Sequence, residues 1–287
     1  MSRIFIFLIV SALALATLAC GITINLPVDR IVTGPTQTEE IMIQQPVADE
    51  VELTLDFGAG NLEILPGEDG ALVSGTATYN VPDFKPEIDV DENRVHLSTG
   101  NLEINGIPRF GDNLENKWDL KLGDHPTNLT INSGAYKGEL ELGGLSIKSL
   151  DITDGAAEVR LRFSELNQVE MDRLRYQTGA SNVELSGLAN ANFSAMVFRS
   201  GAGEYRLDFS GDLKRDATVT VESGFSQVTI VVPEGTLAQV ITSGGLLNVD
   251  TSGDWEKEGD SYSLSGSGPA LTISVDMGVG NLVLRTN

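Results

Sequence analysis

The sequence predicts an all-β fold, a β-solenoid of about eight stacked coils with an N-terminal β cap, placed after a signal peptide and a short tether. Three observations predict it. A twelve-residue pattern centred on glycine recurs along the chain. Apolar and polar residues alternate on both sides of that glycine, which is the period of strands with one buried face. After residue 19 no stretch sustains the 3.6-residue period of an amphipathic helix.

The first element, residues 1–19, reads as a signal peptide. Arg3 is followed by an uncharged run from Ile4 to Ala19 that ends in small residues. About 16 apolar residues fall short of the roughly 20 that a membrane span needs, so a cleaved signal is preferred over a permanent anchor. Cys20 follows at once and is the only cysteine of the chain. A lone thiol makes no internal disulfide. Its position resembles the lipobox of bacterial lipoproteins, which implies lipidation of Cys20 and membrane lipid as a partner. Thr17 and Leu18 depart from the usual lipobox residues, so ordinary cleavage after Ala19 stays open beside it. Acyl chains contribute about 0.8 kcal/mol per buried methylene, and two or three together would hold the protein on the extracytoplasmic face of a cell membrane.

Residues 20–46 read as lipid anchor and tether, since 21–46 show no clear period. An N-terminal β region is expected over 47–127, with strands at 72–79 and 87–97, a turn at residues 81–86, and a loop rich in Asn, Gly and Pro over 100–116. Such a cap would hide the first open edge of a stack.

The repeat region, 128–287, carries the glycine pattern. Leu150-Asp-Ile-Thr-Asp-Gly155-Ala-Ala-Glu-Val-Arg-Leu161 is one copy, and Val219-Thr-Val-Glu-Ser-Gly224-Phe-Ser-Gln-Val-Thr-Ile230 is another. Leu53-Thr-Leu-Asp-Phe-Gly58-Ala-Gly-Asn-Leu-Glu-Ile64 places an early copy in the cap region. Glycines 134, 155, 179, 201, 224 and 244 lie 21, 24, 22, 23 and 20 residues apart, a spacing that suits one coil each. Glycine is expected at these bends for positive φ, with Ala135, Ala156, Ala180 and Ala202 letting the bends stack closely. Side-by-side hairpins would also alternate, but the connections lack tight hairpin turns, so the solenoid is preferred.

Three N-terminal segments and the later repeats carry a family resemblance. Asp56-Phe-Gly-Ala-Gly-Asn-Leu-Glu-Ile64, with Gly75-Thr-Ala-Thr-Tyr-Asn-Val-Pro-Asp-Phe-Lys-Pro-Glu-Ile88 and Trp118-Asp-Leu-Lys-Leu122, resembles the N-terminal region of bacterial toast-rack proteins. The later Gly-Ala units are similar to the adhesin-type β-repeat domains grouped near them. The resemblance implies a solenoid-like β-fold on an exported or membrane-tethered protein, and it brings no catalytic residues with it.

Chemistry has little to build on. The balance of 19 Lys and Arg against 41 Asp and Glu gives −22, which repels phosphate backbones and excludes nucleic acid as a partner. Of the two histidines, His96 reads as a solvated strand residue and His125 as part of a turn before Pro126. Asp89-Val-Asp91-Glu-Asn93 has the alternating oxygens of a calcium loop but not its glycine or distant Glu, so it reads as a charged strand end. No catalytic, cofactor-binding or metal residues are assigned, and no cofactor is expected. Asp151, Glu158 and Glu184 would be the acids to examine for sugar chemistry if neighbouring coils brought them together. Trp118 alternates with Leu120 and Leu122 and is expected in the core; Trp255, in a polar loop, is expected to cap it. The function expected is that of a non-enzymatic cell-surface lipoprotein, an adhesin, scaffold or envelope-sensing module whose partner is a cell-wall glycan or a surface protein. The rival readings are a carbohydrate-acting enzyme and a wall-polysaccharide binding module on the same fold.

Overall fold

The computed structural model describes residues 33–67, 70–100 and 114–287. Residues 33–102 and 113–287 form one compact unit. A second unit, residues 1–32 with 103–112, lies outside the described residues, as do the expected signal peptide and Cys20.

The chain runs through β1 (Gln37–Gln44), β2 (Val51–Pro66), β3 (Ala71–Tyr79), a 3-10 turn at Pro82–Phe84, β4 (Pro86–Asp91), β5 (Arg94–Thr99) and β6 (Asn116–Leu122). It continues as β7 (Thr127–Glu141), β8 (Ile147–Arg162), β9 (Met171–Ser186), β10 (Phe193–Asp208), β11 (Ala217–Val232) and β12 (Thr236–Ser252). Two short strands, β13 (Glu256–Glu258) and β14 (Ser261–Leu264), precede the last, β15 (Ser267–Thr286).

The long strands pair in parallel in the order β2-β7-β8-β9-β10-β11-β15-β12. Each is a coil, for a reason of reach. A 16-residue strand such as β8 would span about 53 Å if straight, at roughly 3.3 Å per residue. Only residues 142–146 join the end of β7 to the start of β8, and they cover at most about 18 Å. Strand ends must therefore lie close together, so each strand folds back on itself at its glycine. This is the β-solenoid that the sequence predicts, with the eight long strands as its coils.

The bend shows in the burial pattern. In β8, Leu150, Ile152 and Asp154 face inward, Gly155 and Ala156 both face out, and Val159 and Leu161 face inward again. The alternation thus resumes one residue out of phase, and two successive outward residues form the corner. Inward side chains of all coils join one hydrophobic core, with Leu53, Ile131, Ile152, Tyr176, Phe198, Val221 and Val275 at most 1% exposed. At about 1.5–3 kcal/mol for each large apolar side chain buried, a coil's few residues are insufficient alone, and the stack supplies the stability.

The expected reason for the corner glycines needs correcting at five of the six positions; Gly244, at φ 144°, has the positive φ expected. Gly134, Gly155, Gly179, Gly201 and Gly224 do not have positive φ. A Cβ on any of them would lie within 3.1 Å of the carbonyl oxygen of the preceding corner glycine, 2.8 Å for Gly155 against Gly134 and 2.7 Å for Gly224 against Gly201. Close stacking of backbone, not left-handed conformation, selects glycine here. The alanines that follow are exposed and do not set the spacing. In β12 the ladder glycine is Gly245, which stacks on Gly278, rather than the expected Gly244.

The coils do not all stack in sequence order. The last strand, β15, lies between β11 and β12 and pairs in parallel with both. β12 therefore becomes the end coil, and β14 lies antiparallel against its first half.

At the other end, β5 pairs with the first half of β2 and β6 with its second half, both in parallel. Together they make one more, interrupted turn of the stack. Asn116, buried at the start of β6, donates from Nδ2 to the carbonyl of Ala59 at 2.7 Å in the corner of β2. Outside this lie β4 on β5, β3 on β6 and β1 on β3, all antiparallel. The tether reading extends too far: residues 37–44 form a strand whose Ile41 and Ile43 are buried. Phe84, in the turn at 82–84, is buried too. Trp118 lies in the core against Phe57 at 5.1 Å, and Trp255 packs half-buried on the core from its loop, both as expected.

Candidate interaction ridge

Each corner places one residue after the ladder glycine on the outer edge of the stack. These residues stand in register: Ala59 beside Ala135, Ala135 beside Ala156, Ala180 beside Ala202. The row continues as Ala202 beside Phe225, Phe225 beside Val279, and Val279 beside Leu246. It is apolar throughout and grows from methyl groups to large side chains toward the β12 end. Phe225 is 71% exposed, Leu246 75% and Val279 41%, large values for side chains of this kind. A shallow groove of about 670 Å³ opens along it, lined by Ala180, Ala202, Gly203 and Phe225.

Two polar rows border the ridge. On one side Arg199 Nε donates to Glu222 at 2.9 Å, and Asn132 Nδ2 donates to Asp56 at 2.8 Å. On the other, Lys137 pairs with Glu158 at 3.4 Å and Asn248 donates to Asn281 at 2.7 Å. A contiguous exposed apolar strip with a polar rim is the usual form of a surface that binds another molecule. Nothing on the ridge titrates, so its chemistry is burial and shape rather than acid–base work.

Beneath the ridge, the residue before each ladder glycine points inward and is often polar. Ser200 and Ser223 share a hydrogen bond of 2.7 Å, and Ser223 meets Ser226 at 2.6 Å. The coil of β8 has Asp154 at this place. Its carboxylate accepts from the Tyr176 hydroxyl at 2.7 Å and from the Thr178 hydroxyl, while Ser181 accepts from the Ala157 N–H at 2.9 Å. Burial pushes the Asp154 carboxyl above its ordinary range, against the lowering effect of the hydroxyl hydrogen bonds. With 6% exposure the group is closed to any ligand, so it braces the corner.

The residues considered for chemistry are held in other ways. Asp151 pairs with Arg173 at 3.1 Å and Arg175 at 3.6 Å, and Glu184 with Arg206 at 3.6 Å. Glu158 pairs with Lys137 and Arg160. All but the Glu158–Arg160 pair, which lies within β8, join neighbouring coils on their outer faces. His96 is exposed on β5 and bonds Asp56 at 2.6 Å; the His125 ring bonds Gln45. Asp89 and Asp91 lie on β4, with Glu92 at φ 55° and Asn93 forming the hairpin turn into β5. No cluster of three or more His, Cys, Asp or Glu set to hold a metal ion occurs among the described residues. No helix among them is long and apolar enough to cross a membrane.

Alternation alone makes the post-glycine alanines spacers and does not show that Phe225, Val279 and Leu246 share their place. The signal was present, because each of the three follows a ladder glycine where alternation breaks.

This geometry defines an all-β protein of stacked parallel coils with an exposed apolar ridge along its corners. Residues 32–172 match the family model for the N-terminal domain of toast_rack, DUF2154, and the chain thus carries a toast-rack N-terminal domain, as the resemblance implied. The match begins close to β1, runs through the interrupted turn and ends at the start of β9. A protein of Clostridium sporogenes, described as a proposed cell adhesion protein, has a solved structure similar to this chain. It is 20% identical, with a TM-score of 0.52 over 88% of this chain and 100% of that one. A proposed adhesin of Parabacteroides merdae is 11% identical with a TM-score of 0.37, over 89% of this chain and 98% of that one. A proposed lipid binding protein of Parabacteroides distasonis is 13% identical with a TM-score of 0.36, over 87% and 97%. At these identities the first establishes a shared fold. No curated protein matches the sequence.

Proposed function

We propose that this chain is a non-enzymatic module of the bacterial cell surface, lipid-anchored through Cys20, that adheres to a wall glycan or a surface protein along its corner ridge. The carrying observation is the in-register row Ala180, Ala202, Phe225, Val279 and Leu246, which leaves large apolar side chains in water with no core to fill. The adhesion description of the Clostridium sporogenes protein accords with this reading. The anchor rests on the Ile4–Ala19 run and Cys20.

Two measurements test the reading. Mass spectrometry of the membrane-extracted protein should find an acylated Cys20 as the first residue; an unmodified Cys20 or a retained Met1 would refute the anchor. Cells displaying the full chain should be retained on surfaces coated with wall glycan or surface protein several-fold above cells lacking it. Phe225→Ser with Val279→Ser should return retention to background. Retention unchanged by the double variant would remove the ridge from the binding site, and no retention of the parent on either coating would refute adhesion to these partners.

A further inference from the structure

The two ends of the stack treat their open strand edges differently. An edge strand exposes a row of unpaired N–H and C=O groups, and proteins guard such edges with charge, bulges or cover. At the N-terminal end, β1 carries Glu39 and Glu40, and β4 carries Glu87, Asp89 and Asp91. At the other end, β14 covers Ala238–Ile241 of β12, Thr242 N–H bonds the Asp260 carbonyl at 2.9 Å, and the outermost strand β13 is charged at every residue, Glu256, Lys257 and Glu258.

The second half of β12 has no such guard. From Ser243 to Ser252 its inner side pairs with β15, and no strand lies on its outer side among the described residues. In a chain of net charge −22 this stretch holds a single ionisable side chain, Asp250. The core is also unfinished here. Val228 and Ile230 of β11 are fully buried, whereas Leu247 and Val249, which point to the same core from β12, are only half-buried.

We infer that residues 246–250 of β12, the run past its corner at Gly245, form a pairing edge for a second copy of this chain, joined as antiparallel strands about a two-fold axis at Asn248. A bare row of backbone donors and acceptors is completed by an extended strand at β spacing. Charge favours this edge for a second copy: elsewhere two chains of −22 repel, and here each presents a nearly neutral strand. The register is self-complementary. With Asn248 opposite Asn248 of the second copy, Leu247 faces Val249 of that copy and Val249 faces its Leu247, so both unfinished cores close at once. Each Asn248 carboxamide can donate and accept across the axis. An isologous contact of this kind closes at two chains instead of growing into a fibre. The edge shares Leu246 with the ridge, but the inference stands on the unpaired backbone of β12, and its test leaves Phe225 and Val279 untouched.

The test uses the detergent-solubilised full chain. Asn248 is exposed and its side chain bonds only Asn281 and Asp250, so substitutions there leave the core intact. Residues directly opposite in an antiparallel pair have Cα atoms roughly 4.5–5.5 Å apart, a spacing that a disulfide spans. Asn248→Cys should therefore give a covalent dimer under mild oxidation, absent from the parent chain with Cys20 alone. Asn248→Asp sets two carboxylates face to face beside the two Asp250 side chains and should weaken dimerisation several-fold in sedimentation. A parent chain that sediments as a monomer would overturn the inference and leave the edge to a foreign strand. A dimer that Asn248→Asp leaves intact and Asn248→Cys fails to cross-link would overturn it equally.

Discussion

The Tyr176 hydroxyl donates to Oδ2 of Asp154 at 2.7 Å, joining two neighbouring coils just inside their stacked corner glycines. Asp154 is thus a buried acid held between coils, with its carboxyl pushed upward by burial. An acid whose folded pKa lies above its unfolded value costs nothing while both states are protonated. As pH climbs from the ordinary carboxylate range through the raised native value, the unfolded chain ionises more readily and stability falls. Asp154→Asn lacks that loss. Its stability relative to the parent should rise with pH across this window and stay level on either side, as read by urea unfolding at a series of pH values. Parallel curves for the two proteins would show that Asp154 is not the buried acid described.

Gly224 tests the corner ladder. Gly224→Ala places a Cβ 2.7 Å from the Gly201 carbonyl oxygen, with rigid backbone on both sides. A loss of about 1–3 kcal/mol is expected from such overpacking. Gly134→Ala, where the corresponding distance is 3.1 Å, should lose distinctly less. Thermal or urea unfolding of the pair measures the difference, and equal losses would contradict close stacking as the reason for glycine.

Phe198 tests the core between coils. It is fully buried, 5.7 Å from the Tyr176 ring and 5.3 Å from the Tyr205 ring. Phe198→Ala should cost about 3–5 kcal/mol, since the rings around it are locked by their own coils and cannot collapse into the space. The change should appear as a lower urea midpoint.

Phe225 separates surface from core in the same repeat. Phe225→Ser removes an aromatic ring that is 71% exposed, so stability should stay within about 0.5 kcal/mol of the parent while adhesion along the ridge falls. A large loss of stability would mean that Phe225 belongs to the core and not to a binding surface.

Much of this could be read along the chain. Period-two alternation in stretches such as residues 150–161 fixes strands with one buried face, and glycines 20 to 24 residues apart fix the coil. Trp118 could be placed inside from its spacing to Leu120 and Leu122. These are local features, written in the order in which the chain uses them. The strand at residues 37–44 escapes a local reading: Ile41 and Ile43 make a single step of alternation, too short to stand out without β3 to pair with.

What the tertiary structure alone decided is which coil lies beside which. All the repeats carry the same alternation, so nothing local tells β15 that it belongs between β11 and β12, or leaves β12 as the end coil with Leu247 and Val249 half-buried. The same holds for the ridge. A residue after a corner glycine becomes part of a surface only when neighbouring corners stack in register, and that register is a property of strands far apart in the sequence. Burial patterns determine that a coil forms; long-range pairing determines its neighbours, and with them the open edge and the apolar row.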